Sequence, residues 1–259
     1  MKRRRLALAF LAALLCGLAA LPAPDAAAAE LQLDVYAPAD SVARPMVLIV
    51  QGTGAVGGRE TGWAEWFRER GLVAVVLHSA KARGLKSFSG SRISDYSKDI
   101  VTALSLLEGD RRVDAQRFAI IGFSRGGSVA LLAGKHFQGQ QVAPALVFAF
   151  YPGSPSGCFN EHGAATEVHI FYGTADEWGN FHGLLNACRK LQNEHVFFHE
   201  FPGVHHGFDG VNTGSFRSGD SGSREFHMAP DLEATAAARG IINEALVRVW
   251  GDFQNKAGQ

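Results

Sequence analysis

The run Phe118-Ala-Ile-Ile-Gly-Phe-Ser-Arg-Gly-Gly127 constrains this chain more than any other stretch. Its apolar first half reads as a buried strand, and Ser128 to His136 reads as a helix that follows at once. Between them, Gly122-Phe123-Ser124-Arg125-Gly126 has the G-x-S-x-G pattern of a nucleophile elbow, a strand-to-helix turn that leaves the serine projecting above a sheet. The two glycines lack side chains that would clash across so sharp a turn. A bare match to the pattern is common, and its strand–turn–helix setting is what gives it weight.

Strands and helices alternate along the rest of the chain. Apolar runs at Met46–Gln51, Leu72–Leu77, Arg117–Gly122, Ala145–Tyr151, Glu167–Tyr172 and His195–Phe201 predict buried strands, with Leu31–Tyr36 at an edge. Helices are predicted over Gly62–Arg70, Ser94–Leu107 and Phe181–Gln192, and from about Pro230 to Trp250. In the second of these, Tyr96, Ile100, Leu104 and Leu107 recur at helical spacing. Continuous Val/Ile/Phe/Ala runs separated by helices predict an α/β domain whose mostly parallel central sheet has helices on both faces. No repeat or linker divides the chain. The segment Asp209–Arg224, rich in Gly, Ser and Asp, is expected as a mobile surface loop near the site, either a lid or a plain connection.

The N-terminus reads as a cleaved signal peptide over residues 1–29. Lys2-Arg3-Arg4-Arg5 is a basic n-region, Leu6 to Leu21 an apolar h-region, and Ala27-Ala28-Ala29 a set of small residues for cleavage before Glu30. The apolar run is marginal for a membrane span, which takes about 20 residues. Residues 30–259 are then a single domain, exported to the periplasm or the medium. Cleavage takes four of the 25 basic and one of the 25 acidic residues, leaving 21 against 24 and a formal charge of −3. No basic run survives, which argues against a nucleic-acid partner. No later segment offers a membrane span. Cys158 and Cys188 remain, and an oxidising compartment lets them pair.

A serine hydroxyl is a weak nucleophile and needs a histidine base oriented by a carboxylate. In open α/β sheets such groups gather where strands end. Asp176 follows the strand ending at Tyr172, with Glu177 and Asp209 as alternatives, and His205 and His206 follow the strand ending at Phe201. The chain order Ser, Asp, His is that of α/β-hydrolases. No H-E-x-x-H or Cys/His zinc spacing is present, so neither a metal nor another cofactor is expected.

With these pieces assembled, the chain resembles the dienelactone hydrolase family of α/β-hydrolases. The resemblance rests on Arg112–Gly127, on His78-Ser-Ala-Lys-Ala-Arg-Gly84, on Phe150-Tyr-Pro-Gly153, on Gly173-Thr-Ala-Asp-Glu-Trp178 and on Pro202-Gly-Val-His-His-Gly-Phe-Asp209. It implies an α/β-hydrolase fold and, as base, the histidine before Gly-Phe, His206, with His205 in reserve. Members with cysteines after the Tyr-Pro turn and after the acid loop imply a Cys158–Cys188 disulfide. Two features depart from the family. Dienelactone hydrolases proper use a cysteine nucleophile where this chain has Ser124, and they carry a glutamate where it has Gly52. These departures favour a general ester hydrolase over transfer of the dienelactone substrate.

The oxyanion formed on attack must meet preorganised N–H groups, each worth roughly 3–4 kcal/mol. The residue after the nucleophile, Arg125, supplies one backbone N–H. Alignment places the second in Gln51-Gly52-Thr53-Gly54, at Thr53. The Gly52–Gly58 run lacks the Gly-Lys-Ser/Thr ending of a phosphate loop. The expected activity is hydrolysis of a small or medium carboxylic ester or lactone. Acyl transfer by the same triad and a silent binding protein on this scaffold are the competing readings. Lys81, Arg83 and Arg59 fall in loops that could face the pocket and hold a substrate carboxylate, but exposed solubilising charge is the expected role.

Overall fold

In the computed structural model the described residues are 30–88, 92–153, 162, 165–178, 186, 195–210, 214–218 and 224–251. The signal segment, the two cysteines and nearly all of the helix expected over Phe181–Gln192 lie outside them. A seven-stranded sheet forms the centre: β1 (Leu33–Tyr36), β2 (Arg44–Val50), β3 (Val73–Leu77), β4 (Val113–Phe123), β5 (Leu146–Phe150), β6 (Glu167–Gly173) and β7 (Val196–Phe201). Their order across the sheet is β1-β3-β2-β4-β5-β6-β7. Only β1 runs antiparallel, pairing Leu33 with Leu77 through Tyr36 with Ala74. Every residue of β2, β3 and β5 is buried, as a parallel sheet covered on both faces requires.

The described residues include the α-helices α1 (Gly58–Arg68), α2 (Ile93–Leu106), α3 (Arg125–Ala133) and α4 (Leu232–Trp250). Because side chains alternate along a strand, β4 sends Phe118 to one face and Phe123 to the other. Phe118 meets Phe137, just beyond α3, at 5.5 Å between rings, while Phe123 meets Trp63 of α1 at 6.0 Å. On the α1 face the Arg239 guanidinium of α4 lies 5.0 Å over the Trp63 ring.

Three elements differ from expectation. The first helix starts four residues early, at Gly58, because the Glu60 carboxylate accepts the Gly57 N–H and caps a glycine run that reads locally as loop. The last helix starts at Leu232, after Pro230, because the Asp231 carboxylate caps it by accepting the Ala234 N–H at 2.8 Å. The segment read as a surface loop contains a strand, β8 (Gly214–Ser218), paired antiparallel with β9 (Arg224–Met228). Its Gly/Ser composition hides a strand whose partner, not its propensity, defines it.

At the β6–β7 edge, His169 and His199 stack with rings 5.2 Å apart, Nδ1 of the first lying 3.0 Å from Nε2 of the second. Burial lowers both pKa values to about 4, and the His199 charge adds to the effect at His169. Glu167 and Arg248 are the charged groups beside the pair. Folded-state pKa values below the ordinary 6.5 mean that folding favours the neutral rings. Their contribution is therefore complete above pH 6.5 and is lost as pH falls from 6.5 through 4. Thermal melts should show Tm falling across that window, with a shallower slope in His199→Phe. An unchanged slope in the variant would remove the pair as the cause.

Candidate active site

β4 ends where the chain must turn into α3 within one residue. Ser124 sits at that turn with φ 54° and ψ −115°, a positive φ that only seven glycines and Tyr151 share among the described residues. The turn closes so tightly that a Cβ on Gly122 would lie 2.1 Å from the Gly126 carbonyl oxygen, and one on Gly126 would lie 2.3 Å from that of Gln51. The Ser124 N–H donates to the Phe150 carbonyl at 2.9 Å, tying the elbow to β5.

Two further loops meet the elbow. After β6, Thr174 and Ala175 donate backbone N–H groups to Phe201 and Val204, at 2.9 and 3.0 Å. A Cβ on Gly173 would lie 2.0 Å from the Val204 oxygen, so glycine permits this approach. The acid loop and the histidine loop are thus one packed unit. His206 Nε2 lies 3.0 Å from Ser124 Oγ, and its Nδ1 lies 2.7 Å from Asp176 Oδ2. The other oxygen of Asp176 accepts the Trp178 N–H at 2.9 Å. Asp176 is 1% exposed, and the His206 ring packs against the Trp178 indole (5.1 Å) and the Tyr151 ring (4.5 Å).

The alternative residues go elsewhere. His205 turns to His227 of β9, with ring centroids 4.7 Å apart. Glu177 is exposed. Asp209 is half-buried beside Tyr151, where it accepts the Trp63 Nε1–H at 2.7 Å and the Tyr151 hydroxyl. Burial raises its pKa, opposed by the Arg59 charge and those two hydrogen bonds.

Ser124 and His206 open onto a cavity of about 330 Å³. Gly52, Thr53 and Gly54 form one wall, Arg59 and Glu60 another, and Trp178 and Met228 a third. Gln51 Nε2 donates to the Gly54 oxygen at 2.5 Å and Phe88 N–H to the Thr53 oxygen at 2.8 Å, tying the Thr53 loop. Arg125, the first residue of α3, directly follows the nucleophile. Met228 reaches the wall because β9 bridges to His206.

Not all of the loop charges take the places their sequence suggests. Arg59 is no solubilising loop charge: it lies in the first turn of α1, donates twice to Glu60 Oε1 and once to the Tyr151 hydroxyl, and sits 4.8 Å over the Phe123 ring. Its pKa is raised; burial alone would lower it, but the neighbouring Tyr151 hydroxyl, the charges of Glu60 and Asp209 and the hydrogen bonds to Glu60 outweigh that. Arg83 is likewise structural, with both guanidinium nitrogens on Asp99 at 2.7 and 2.8 Å. Lys81 is exposed. The Gly57-x-x-Glu60 spacing was the one available signal, as half of a helix-capping pattern. Among the described residues, no cluster of three or more His, Cys, Asp or Glu is arranged to hold a metal.

The fold and site together define an α/β-hydrolase with a serine elbow. The sequence profile of the dienelactone hydrolase family matches residues 35–225, and the chain belongs to that family of carboxylic ester hydrolases. No protein with curated function matches it. Similar solved structures include a Klebsiella pneumoniae subsp. pneumoniae MGH 78578 protein provisionally described as a dienelactone hydrolase, with TM-score 0.65 and 14% identity over 85% of this chain and 99% of that one. Another is esterase 2 of the planctomycete Thermogutta terrifontis, with TM-score 0.58 and 19% identity over 89% and 91% of the two chains. A third is P91, a dienelactone hydrolase-like promiscuous phosphotriesterase from metagenomic libraries, with TM-score 0.58 and 13% identity over 85% and 98%. At these identities the likeness is one of fold.

Proposed function

We propose that the protein is an exported serine hydrolase of small or medium carboxylic esters or lactones, acting through Ser124, His206 and Asp176. The observation that carries this is the continuous hydrogen-bonded line from Asp176 through His206 to Ser124 Oγ at the cavity floor. Ser124 Oγ attacks the ester carbonyl while His206 Nε2 takes its proton. The Nδ1–H of His206 donates to Asp176, which orients the ring and stabilises it when protonated. The Trp178 N–H holds the carboxylate in turn. The backbone N–H groups of Arg125 and Thr53 receive the oxyanion. His206 returns its proton to the leaving alcohol, and water then cleaves the acyl-enzyme by the same steps reversed.

A cavity of about 330 Å³ is at the small end of ligand sites, which start near ~300 Å³, and supports short acyl chains. The Thermogutta esterase has been obtained with bound propionate and butyrate and phosphorylated by paraoxon. That supports trapping of Ser124 by an organophosphorus probe. A hydrolysis screen of p-nitrophenyl esters from acetate to octanoate, with fluorophosphonate labelling of the same preparation, tests the reading. Labelling at Ser124 and a preference for short acyl chains are expected. A protein that neither labels nor hydrolyses any ester of the series is not a serine esterase.

Export and the Cys158–Cys188 bridge belong to the same proposal. They are supported by the basic-then-apolar N-terminus and by two cysteines left after cleavage. Mass spectrometry of unreduced protein recovered from the producing cells should find an N-terminus at Glu30 and a linked Cys158–Cys188 peptide pair. Two separately alkylated cysteines would end the disulfide, and an intact Met1 would end export.

A further inference from the structure

The mechanism above makes no use of a buried carboxylate that borders the cavity. Glu60 is 1% exposed, and both of its oxygens are engaged. Oε2 accepts the Gly57 N–H at 3.0 Å. Oε1 accepts Arg59 Nε–H at 3.1 Å, Arg59 Nη2–H at 2.7 Å and, at 3.4 Å, the Gly52 N–H. Gly52 and Gly57 are the two ends of the loop that carries Thr53. Glycines at 52, 54 and 57 give that loop many backbone conformations of similar energy. An N–H that must point at a transient oxyanion needs its direction imposed from outside, and a carboxylate bonded to both ends of the loop imposes it.

We propose that Glu60 is a positioning residue for the oxyanion hole, clasping the Gly52–Gly57 loop so that the Thr53 N–H faces the adduct on Ser124. This rests on the serine-hydrolase reading and on Thr53 as a donor. A bare carboxylate here would repel the developing oxyanion, and Arg59 removes that problem. Both residues line the cavity, and the Arg59 side chain is 18% exposed against 2% for Glu60, so the cationic member of the pair presents the more accessible surface. Its Nη2 lies against the loop itself, 2.6 Å from where a Cβ on Gly52 would stand.

A plain helix cap is the competing role, and Glu60→Gln separates the two. Glutamine serves at this position of a capping box, so its single acceptor keeps the Gly57 bond and the helix. Its NH₂ then faces Gly52 N–H and Arg59, which are donors, and the clasp is lost. Full-length processed protein is titrated with a fluorophosphonate to count competent serines. Turnover of p-nitrophenyl butyrate and inhibition by butaneboronic acid, which forms a tetrahedral adduct on the serine, are then measured per titrated site.

Removal of one oxyanion donor lowers turnover about 10²–10³-fold, and misdirecting one should cost about 10–100-fold. The loss should fall on kcat, with boronate affinity falling by the same factor and KM changing less than threefold. Unchanged turnover and boronate affinity per titrated site, whatever the Tm, would overturn the proposal. Should Glu60→Gln fail to fold, Glu60→Asp keeps the charge opposite Arg59 but is too short to reach both loop ends, and the same two outcomes apply. A wild-type protein that cannot be titrated at all points instead to failure of the serine-hydrolase reading, and this proposal falls with it.

Discussion

Ser124→Ala is expected to abolish ester hydrolysis while leaving the fold intact, with kcat falling by about 10⁴-fold or more, the range seen when a triad nucleophile is removed. Alanine has the same Cβ at the same positive φ, so the elbow keeps its backbone cost and the flanking close contacts at Gly122 and Gly126 are undisturbed. What disappears is Oγ, with its 3.0 Å contact to His206. Tm should therefore stay within a few degrees, and fluorophosphonate labelling should vanish. Retention of more than a small fraction of wild-type turnover would refute Ser124 as the nucleophile.

The second large effect separates two adjacent histidines. His206→Ala should lower kcat nearly as far as loss of the serine, by about 10⁴-fold, because no other ring nitrogen meets Ser124 Oγ among the described residues. His205→Ala should be mild, since its ring meets His227 and not the nucleophile. Asp176→Asn should approach the His206 effect with little change in stability. The amide leaves the geometry near normal but presents His206 Nδ1 with the wrong hydrogen-bonding group. Initial rates per folded protein, with folding checked by circular dichroism, give the ranking. A greater loss in His205→Ala than in His206→Ala would move the base by one residue, and full activity in Asp176→Asn would reopen Asp209 as the acid.

Much of the architecture was legible because it is written in local pattern. Unbroken apolar runs such as Met46–Val50 and Leu146–Phe150 can be satisfied only by strands covered on both faces. The glycines of the elbow announce a turn that a side chain would block. Element boundaries were less legible wherever a cap or a partner fixes them. Glu60 extends α1 back into a glycine run, Asp231 delays α4 past Pro230, and β8 exists by pairing with β9.

By itself, the sequence determined the α/β class, the elbow at Ser124 and the loops from which an acid and a base would come, because each is encoded within a dozen residues. Only the tertiary structure decided which atoms meet. His205 and His206 are chemically identical and adjacent, and they diverge because Gly207 turns at φ 71° and β9 bridges to position 206. Asp209 stands in sequence as an alternative to Asp176, yet Trp63 and Tyr151, 146 and 58 residues away, take both its oxygens. Arg59 reads as an exposed loop charge, and Glu60 carries no signal beyond its spacing from Gly57, until Gly52, Tyr151 and Phe123 close around the pair. Side-chain direction in a loop is set by long-range packing and hydrogen bonding, which short-range propensity does not carry.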